Sequence, residues 1–150
     1  MTKIMPTNYF LLLLVMLIVF HFALPIVQMD YFPYNYLGIA LILFGGGINL
    51  WADALMKKSR TTVKPHLKPS SLLTSGPFAF TRHPMYLGML SILLGAAVIA
   101  GSLVSFIFPL LYIVLMELLF IPVEERNLEE AFGDDYRSYK KRVARWLFIP

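Results

Sequence analysis

Between Tyr9 and Val27 the chain carries no formal charge, and the centre of this stretch reads LLLLVMLIVF. A helix needs about 20 apolar residues to cross the hydrocarbon core of a bilayer. Within lipid, only helices and closed barrels satisfy every backbone N–H and C=O. The stretch therefore argues against an ordinary soluble fold, and three more like it follow. Apolar spans are predicted at about 9–27, 35–56, 84–100 and 103–121, with a charged tail over 122–150. The expected fold class is an all-α integral membrane protein of four transmembrane helices. A cytoplasmic loop and short C-terminal helices are expected to form its pocket. A length of 150 residues suits one membrane-embedded domain, and the 58% apolar fraction agrees with that class. A signal peptide is the competing reading of the first span. The length of the run and the lack of a small-residue cleavage site after it weigh against this.

Charge sets the expected orientation. Lys57, Lys58, Arg60, Lys64, Lys68 and Arg82 are cations in a segment with no acid. Basic loops stay on the cytoplasmic side, which places this loop and both termini in the cytoplasm. The link around Asp30 and the uncharged turn at Gly101-Ser102 then face outward. The net charge of +4 comes from cations that flank apolar spans, which favours anionic lipid headgroups over nucleic acid. The absence of cysteine excludes disulfides, thiolate metal sites and a cysteine nucleophile.

Several residues carry local expectations. Gly45, Gly46 and Gly47 do not form a dinucleotide loop, because GGGINL lacks the last glycine of GxGxxG. They are expected to let helices approach closely, as are Ser91, Gly95, Ala97 and Gly101. Pro84 suits a first helical turn, and Pro109 should kink its span. His21 is expected to bond a neighbouring helix. Asn49 and Asp53 share a helix face, and Asp53 suits either a structural bond or a pocket wall. Gly133 should end one short helix and Asp134 cap the next. Tyr136, Tyr139 and Val143 form an apolar edge that could lie on the membrane or on the loop. Trp146, Leu147 and Phe148 read as an interfacial anchor.

The chemistry gathers in LLTSGPFAFTRHPMYLG, Leu72 to Gly88. Gly76, Pro77 and Pro84 interrupt regular structure there. Phe78, Phe80 and Tyr86 can stack on a flat ring, and Arg82 and His83 can meet a charge. A second cluster, Glu124-Glu125-Arg126, follows the fourth span. The third and fourth spans are joined by a tight turn, so they should run antiparallel and bring His83 and Tyr86 near Glu124. If the helix continues through Pro122, Glu117 and Glu124 share a face. His83 with Glu124 and Glu125 lacks a second histidine at helical spacing, so no metal site is expected. Carboxylates, aromatic rings and freed backbone groups suit a flat, cationic, amphipathic cofactor. Plain juxtamembrane charges fit these residues as well.

Two blocks, Leu72 to Gly88 and EERNLEEAFGDDYRSYKKRV from Glu124 to Val143, resemble a known family. They are similar to the membrane-embedded methyltransferases of the isoprenylcysteine carboxyl methyltransferase type, with phospholipid N-methyltransferases as relatives. The likeness covers roughly the second half of the chain, as RHPxYxG followed by EE…FGxxYxxYKKRV. It implies binding of S-adenosylmethionine, with S-adenosylhomocysteine as product, in a cytoplasm-facing pocket. A lipophilic acceptor would come laterally from the bilayer. By position, Ser71, Leu72 and Leu73 would line the nucleoside side, and Phe78 stands where relatives have tyrosine. His83, Pro84, Met85 and Tyr86 would wrap the cofactor, with Arg82 beside them. Glu124, next to Glu125, would hold its amino-acid or ribose end.

The isoprenylcysteine enzymes carry an arginine before the acidic pair that meets the substrate carboxylate; here that position is Phe120. This weighs against a prenylcysteine acceptor and leaves carboxyl O-methylation and amine N-methylation both open. The short run of spans before the shared core points to a prokaryotic member in a bacterial or archaeal inner membrane. Methyl transfer from a sulfonium needs alignment and exclusion of water more than proton transfer, so no catalytic base is assigned. Two readings stand outside this family. One is a small multidrug-type exporter using Glu117, and the other is a membrane scaffold that binds partners through its tail.

Overall fold

The structure is a computed structural model that describes residues 5–24, 33, 35–61 and 70–147. No β-strand occurs among the described residues. Helix α1 spans Pro6–Ala23 and α2 spans Asn35–Lys58. Helix α3 spans Pro84–Ala100, with Pro84 in its first turn as expected. A 3₁₀ turn (Leu103–Phe106) leads into α4 (Ile107–Leu115). A π-helical turn (Met116–Phe120) joins α4 to α5 (Ile121–Phe132), and α6 (Asp134–Arg142) follows. By length and composition, three segments could cross a membrane: Pro6–Ala23, Asn35–Lys58 and the continuous Leu103–Phe132. Helix α3 is apolar but shorter, at 17 residues.

The first helix starts and stops earlier than the predicted 9–27. It closes where the Leu24 N–H bonds the Phe20 carbonyl, just before Pro25, which lacks an N–H to continue the pattern. Residues 25–27 lie outside the described residues. Phe10, Leu13 and Leu17 recur every three or four positions and are buried. Leu11, Leu12, Val15, Val19 and Phe22 point outward on the rest of α1. Such a helix is stable where its surroundings are also apolar. His21 does not form the expected interhelical bond through Nδ1, which has no hydrogen-bond partner. Its ring lies edge-on to Phe22 instead.

The most extensive helix contact is between α2 and α3. Glycine permits it at paired positions. A Cβ on Gly38 would lie 2.6 Å from the Gly95 carbonyl, and one on Gly95 would lie 2.5 Å from the Gly38 carbonyl. Gly45 and Gly88 meet in the same way. The expectation for Gly46 and Gly47 is corrected, because both face open space. Helix α2 ends two residues later than predicted. It closes with Arg60 at φ 50°, the Arg60 N–H on the Lys57 carbonyl and the Thr61 N–H on the Met56 carbonyl. Gly101, at φ 62°, makes the predicted turn after α3.

The last long helix departs most from expectation. It runs on from 121 to Phe132. Pro109 falls in the first turn of α4, where its missing N–H matters least, and a change from 3₁₀ to α geometry precedes it. Pro122 would drive its ring toward the Leu118 carbonyl in a regular helix. The wider π turn just before it absorbs that conflict. A π turn also adds a residue to the repeat, so Glu117 aligns with Glu125, eight residues on, and not with Glu124.

Asp134 is the first residue of α6 and not its cap; its carboxylate accepts Arg137 Nη1 at 3.0 Å. Tyr136 and Tyr139 turn inward, and the Tyr139 hydroxyl donates to the Phe78 carbonyl at 2.7 Å, so the apolar edge lies on the loop. Trp146 is packed against the core and is not a free anchor, and Phe148 lies outside the described residues.

Gly45→Ala should destabilise the protein by about 1–3 kcal/mol, since a methyl group has no room beside the Gly88 backbone. Gly47→Ala should leave stability unchanged or raise it by up to about 1 kcal/mol through helix propensity. Thermal unfolding of both variants in detergent measures the contrast.

Candidate functional site

Where the end of α2 meets the start of α3, an open cleft of about 310 Å³ is lined by Met56, Phe78, Arg82, His83, Pro84, Met85, Tyr86 and Glu124. Local sequence shapes it. Gly76, at φ +60°, sits 3.3–3.5 Å from Leu55 and Trp51 when a Cβ is added, so a side chain would be both strained and crowded. Pro77 then starts a 3₁₀ turn that presents Phe78. Thr81 is fully buried and its hydroxyl donates to the Arg145 carbonyl at 2.9 Å. The Arg82 N–H donates to the Ala144 carbonyl at 2.9 Å. The loop before α3 is thus tied down by the segment after α6.

The expected approach of the two clusters is present. The Tyr86 hydroxyl donates to Glu124 Oε2 at 2.8 Å. His83 stacks on Tyr86, with ring centroids 5.4 Å apart and 8° between planes. Its Nε2 is 3.4 Å from Glu125 Oε1 and its Nδ1 is 3.6 Å from Glu124 Oε2. A neutral imidazole has one N–H, so only the protonated ring can serve both carboxylates. Burial pushes the His83 pKa down, but the hydrogen bonds and charges of Glu124 and Glu125 outweigh it and hold it above the ordinary 6.5.

The adjacent glutamates have different environments. Glu124 keeps 30% of its side chain exposed in the cleft wall. Glu125 is 5% exposed and lies behind it, 3.0 Å from Arg82 Nη1 and 2.9 Å from Arg145 Nη2. A carboxylate this deep needs such partners. Of the residues singled out from sequence, Phe78, Arg82, His83, Pro84, Met85, Tyr86 and Glu124 meet in the cleft. Ser71, Leu72 and Leu73 are half-buried and outside its wall. The Ser71 hydroxyl donates to the Ser59 carbonyl at 3.3 Å, which ties this stretch to the end of α2. Asp53 pairs with Lys57 at 2.6 Å, the structural of its two expected roles.

Met56 and Arg145 were missed. Met56 resembles any apolar residue of its span. Arg145 is hidden among the tail's cations, and the signal that could have found it is Glu117, an acid inside an apolar span that requires a partner.

Comparison with known proteins places these features in a family. The phospholipid methyltransferase family model matches residues 33–135. An uncharacterised protein of Haemophilus influenzae is 40% identical over 63 residues, 42% of this chain and 100% of that protein. Methanethiol S-methyltransferase 1 of Bradyrhizobium diazoefficiens is 41% identical over 74 residues, 49% of this chain and 24% of that enzyme. Protein-S-isoprenylcysteine O-methyltransferase of Schizosaccharomyces pombe is 37% identical over 83 residues, 53% of this chain and 32% of that enzyme. The match thus covers a third or less of the two methyltransferases. No solved structure matches.

The raised His83 pKa has a signed consequence for stability. Its contribution is fully present below the unfolded value of 6.5 and is lost as pH rises through the higher folded value. The melting temperature should therefore fall over that window, and His83→Gln should flatten this part of the profile. Thermal melts of both proteins across pH 5–9 measure it.

Proposed function

Since the chain belongs to the phospholipid methyltransferase family, we propose that it is a membrane enzyme that methylates a lipophilic or lipid-borne acceptor with S-adenosylmethionine as donor. In this reading residues 1–150 form one domain whose four apolar helices cross the membrane. The cleft opens at the cytoplasmic face, with both termini on that side of a bacterial or archaeal inner membrane. The supporting observation is the cleft itself, where a stacked His83–Tyr86 pair and Phe78 lie beside a half-exposed carboxylate at the end of apolar helices.

The residues present fit the donor. Glu124 retains exposed acceptor surface after receiving the Tyr86 hydroxyl, which suits a cationic or hydroxyl group. Met56, Phe78, Met85 and Tyr86 offer apolar and aromatic surface for a flat ring. Ser71, Leu72 and Leu73, at the end of α2, are assigned to the nucleoside end. Glu125 serves behind Glu124 as the counter-ion of Arg82. When bound, the donor supplies a methyl carbon on a positively charged sulfur, whose departure needs no protonation. The chain's own work is to hold, align and keep dry.

The acceptor is better matched by a neutral amine or thiol than by a carboxylate. The Arg82 side chain is 4% exposed and paired with Glu125, and His83 is held between two carboxylates. At the position of the arginine of isoprenylcysteine enzymes, Phe120 is buried edge-on to Tyr9. The exporter reading loses support because the Glu117 carboxylate is taken by Arg145 and Trp146.

The test is calorimetric titration of detergent-purified protein with S-adenosylhomocysteine. The wild type should bind saturably, and Glu124→Ala should weaken binding by about 10- to 100-fold, as expected for loss of a charged hydrogen bond. A folded wild type that binds neither S-adenosylhomocysteine nor S-adenosylmethionine, in detergent or in lipid nanodiscs, overturns the proposal.

A further inference from the structure

The donor reading leaves Glu117 without a task, yet its two oxygens are fully engaged. Oε2 accepts Arg145 Nη1 at 2.8 Å and Oε1 accepts Trp146 Nε1 at 2.6 Å. The same guanidinium reaches Glu125, with Nη2 on Oε2 at 2.9 Å and Nε on Oε1 at 3.2 Å. One arginine therefore spans two carboxylates eight residues apart. Its own carbonyl takes the Thr81 hydroxyl, and the carbonyl before it takes the Arg82 N–H. Arg145 thus joins the long helix, inside its π turn at Glu117 and beyond it at Glu125, to the loop before α3.

We infer that Arg145 is a positioning residue for the cleft. By bridging Glu117 and Glu125 it holds the helix in its π register and so keeps Glu124 and His83 where donor binding needs them. The inference rests on the donor-site reading above.

Register is the physical reason. Neighbouring residues on a helix point about 100° apart, so fixing Glu125 against Arg145 also fixes the direction of Glu124. Without the π turn, the residue in line with Glu117 would be Glu124, seven positions on. A helix relaxed to regular α geometry would offer Glu124 to the Arg145 side and withdraw it from the cleft. A fork with several donors in fixed geometry can select the eight-residue spacing; a point charge cannot. Losing Arg145 would also leave Glu117 with a single N–H partner between Met116 and Leu118.

The experiment uses the full chain in detergent, with Arg145→Met and Arg145→Lys beside the wild type. Two quantities are read, S-adenosylhomocysteine affinity by calorimetry and the His83 titration by NMR, assigned with His83→Gln. Both variants should lose affinity by about 10- to 100-fold, as displaced binding groups do. The His83 pKa should fall in both, because its carboxylates move away while burial remains. Simple loss of a nearby cation predicts the opposite, so a rise in the His83 pKa with Arg145→Met overturns the inference. Wild-type affinity in Arg145→Lys overturns it too, since charge alone would then suffice. If Arg145→Met does not fold, Arg145→Lys and Glu117→Gln carry the test, and an unchanged His83 titration in both overturns it. A wild type that does not bind S-adenosylhomocysteine removes the donor reading, while the direction of the His83 shift still decides the role of Arg145.

Discussion

A single carboxylate, Glu125, holds the lower half of the molecule together. It is nearly inaccessible to solvent, and Arg82, His83, Lys140 and Arg145 all lie within ion-pairing distance of it. These partners come from the loop before α3, from α6 and from the segment after α6. In a protein whose other contacts are mostly apolar, helices could slide or rotate with little penalty. A buried charge whose partners come from three segments removes that freedom, since each displaced partner leaves an uncompensated charge. The same cluster buries Glu125 and leaves Glu124, its neighbour, partly exposed in the cleft wall.

The other half of the fold depends on backbone proximity. Two helices surrounded by lipid gain little from burying apolar side chains against each other, because lipid tails are as apolar as leucine. They adhere where atoms can approach closely. The Gly38–Gly95 and Gly45–Gly88 pairs provide this along α2 and α3, with fully buried Ala52 one step further along α2. This packing places Met56 at the end of α2 beside Pro84 and Met85 at the start of α3. The cleft is therefore walled by helices whose separation is set by glycine, while its floor is set by ion pairs.

The resulting site has an apolar wall and an ionic floor at the end of membrane-length helices. On the proposed function, this boundary is where a small, charged, water-soluble donor and a lipophilic acceptor, which share no common solvent, meet. The arrangement also explains why the polar residues of the cleft are pre-ordered. Tyr86 spends its hydroxyl on Glu124, and His83 is stacked on Tyr86 between two carboxylates. Groups already oriented lose little entropy on binding.

Much of this was legible in the chain. Uncharged runs of sufficient length dictated helices, because the backbone has few other options in lipid. A tight Gly101-Ser102 turn made α3 and α4 antiparallel, and this alone brought Tyr86 toward Glu124. The pairing of motifs before α3 and after α4 identified the cleft residues from Phe78 to Tyr86. What the sequence could not supply was register and partnership. A π turn just before Pro122 relieves its conflict with the Leu118 carbonyl, and its effect is to shift alignment from Glu124 to Glu125. No periodicity count anticipates one added residue. Likewise Arg145 stands among tail cations of the same charge, and only the folded chain distinguishes the one whose fork reaches two carboxylates. By itself, the sequence determined the helical class, the membrane setting and the residues that meet, since these follow from hydrophobicity and chain connectivity. Only the tertiary structure decided which glutamate is buried and which is offered, because that choice depends on one residue of helical phase and on ion pairs formed across long separations in sequence.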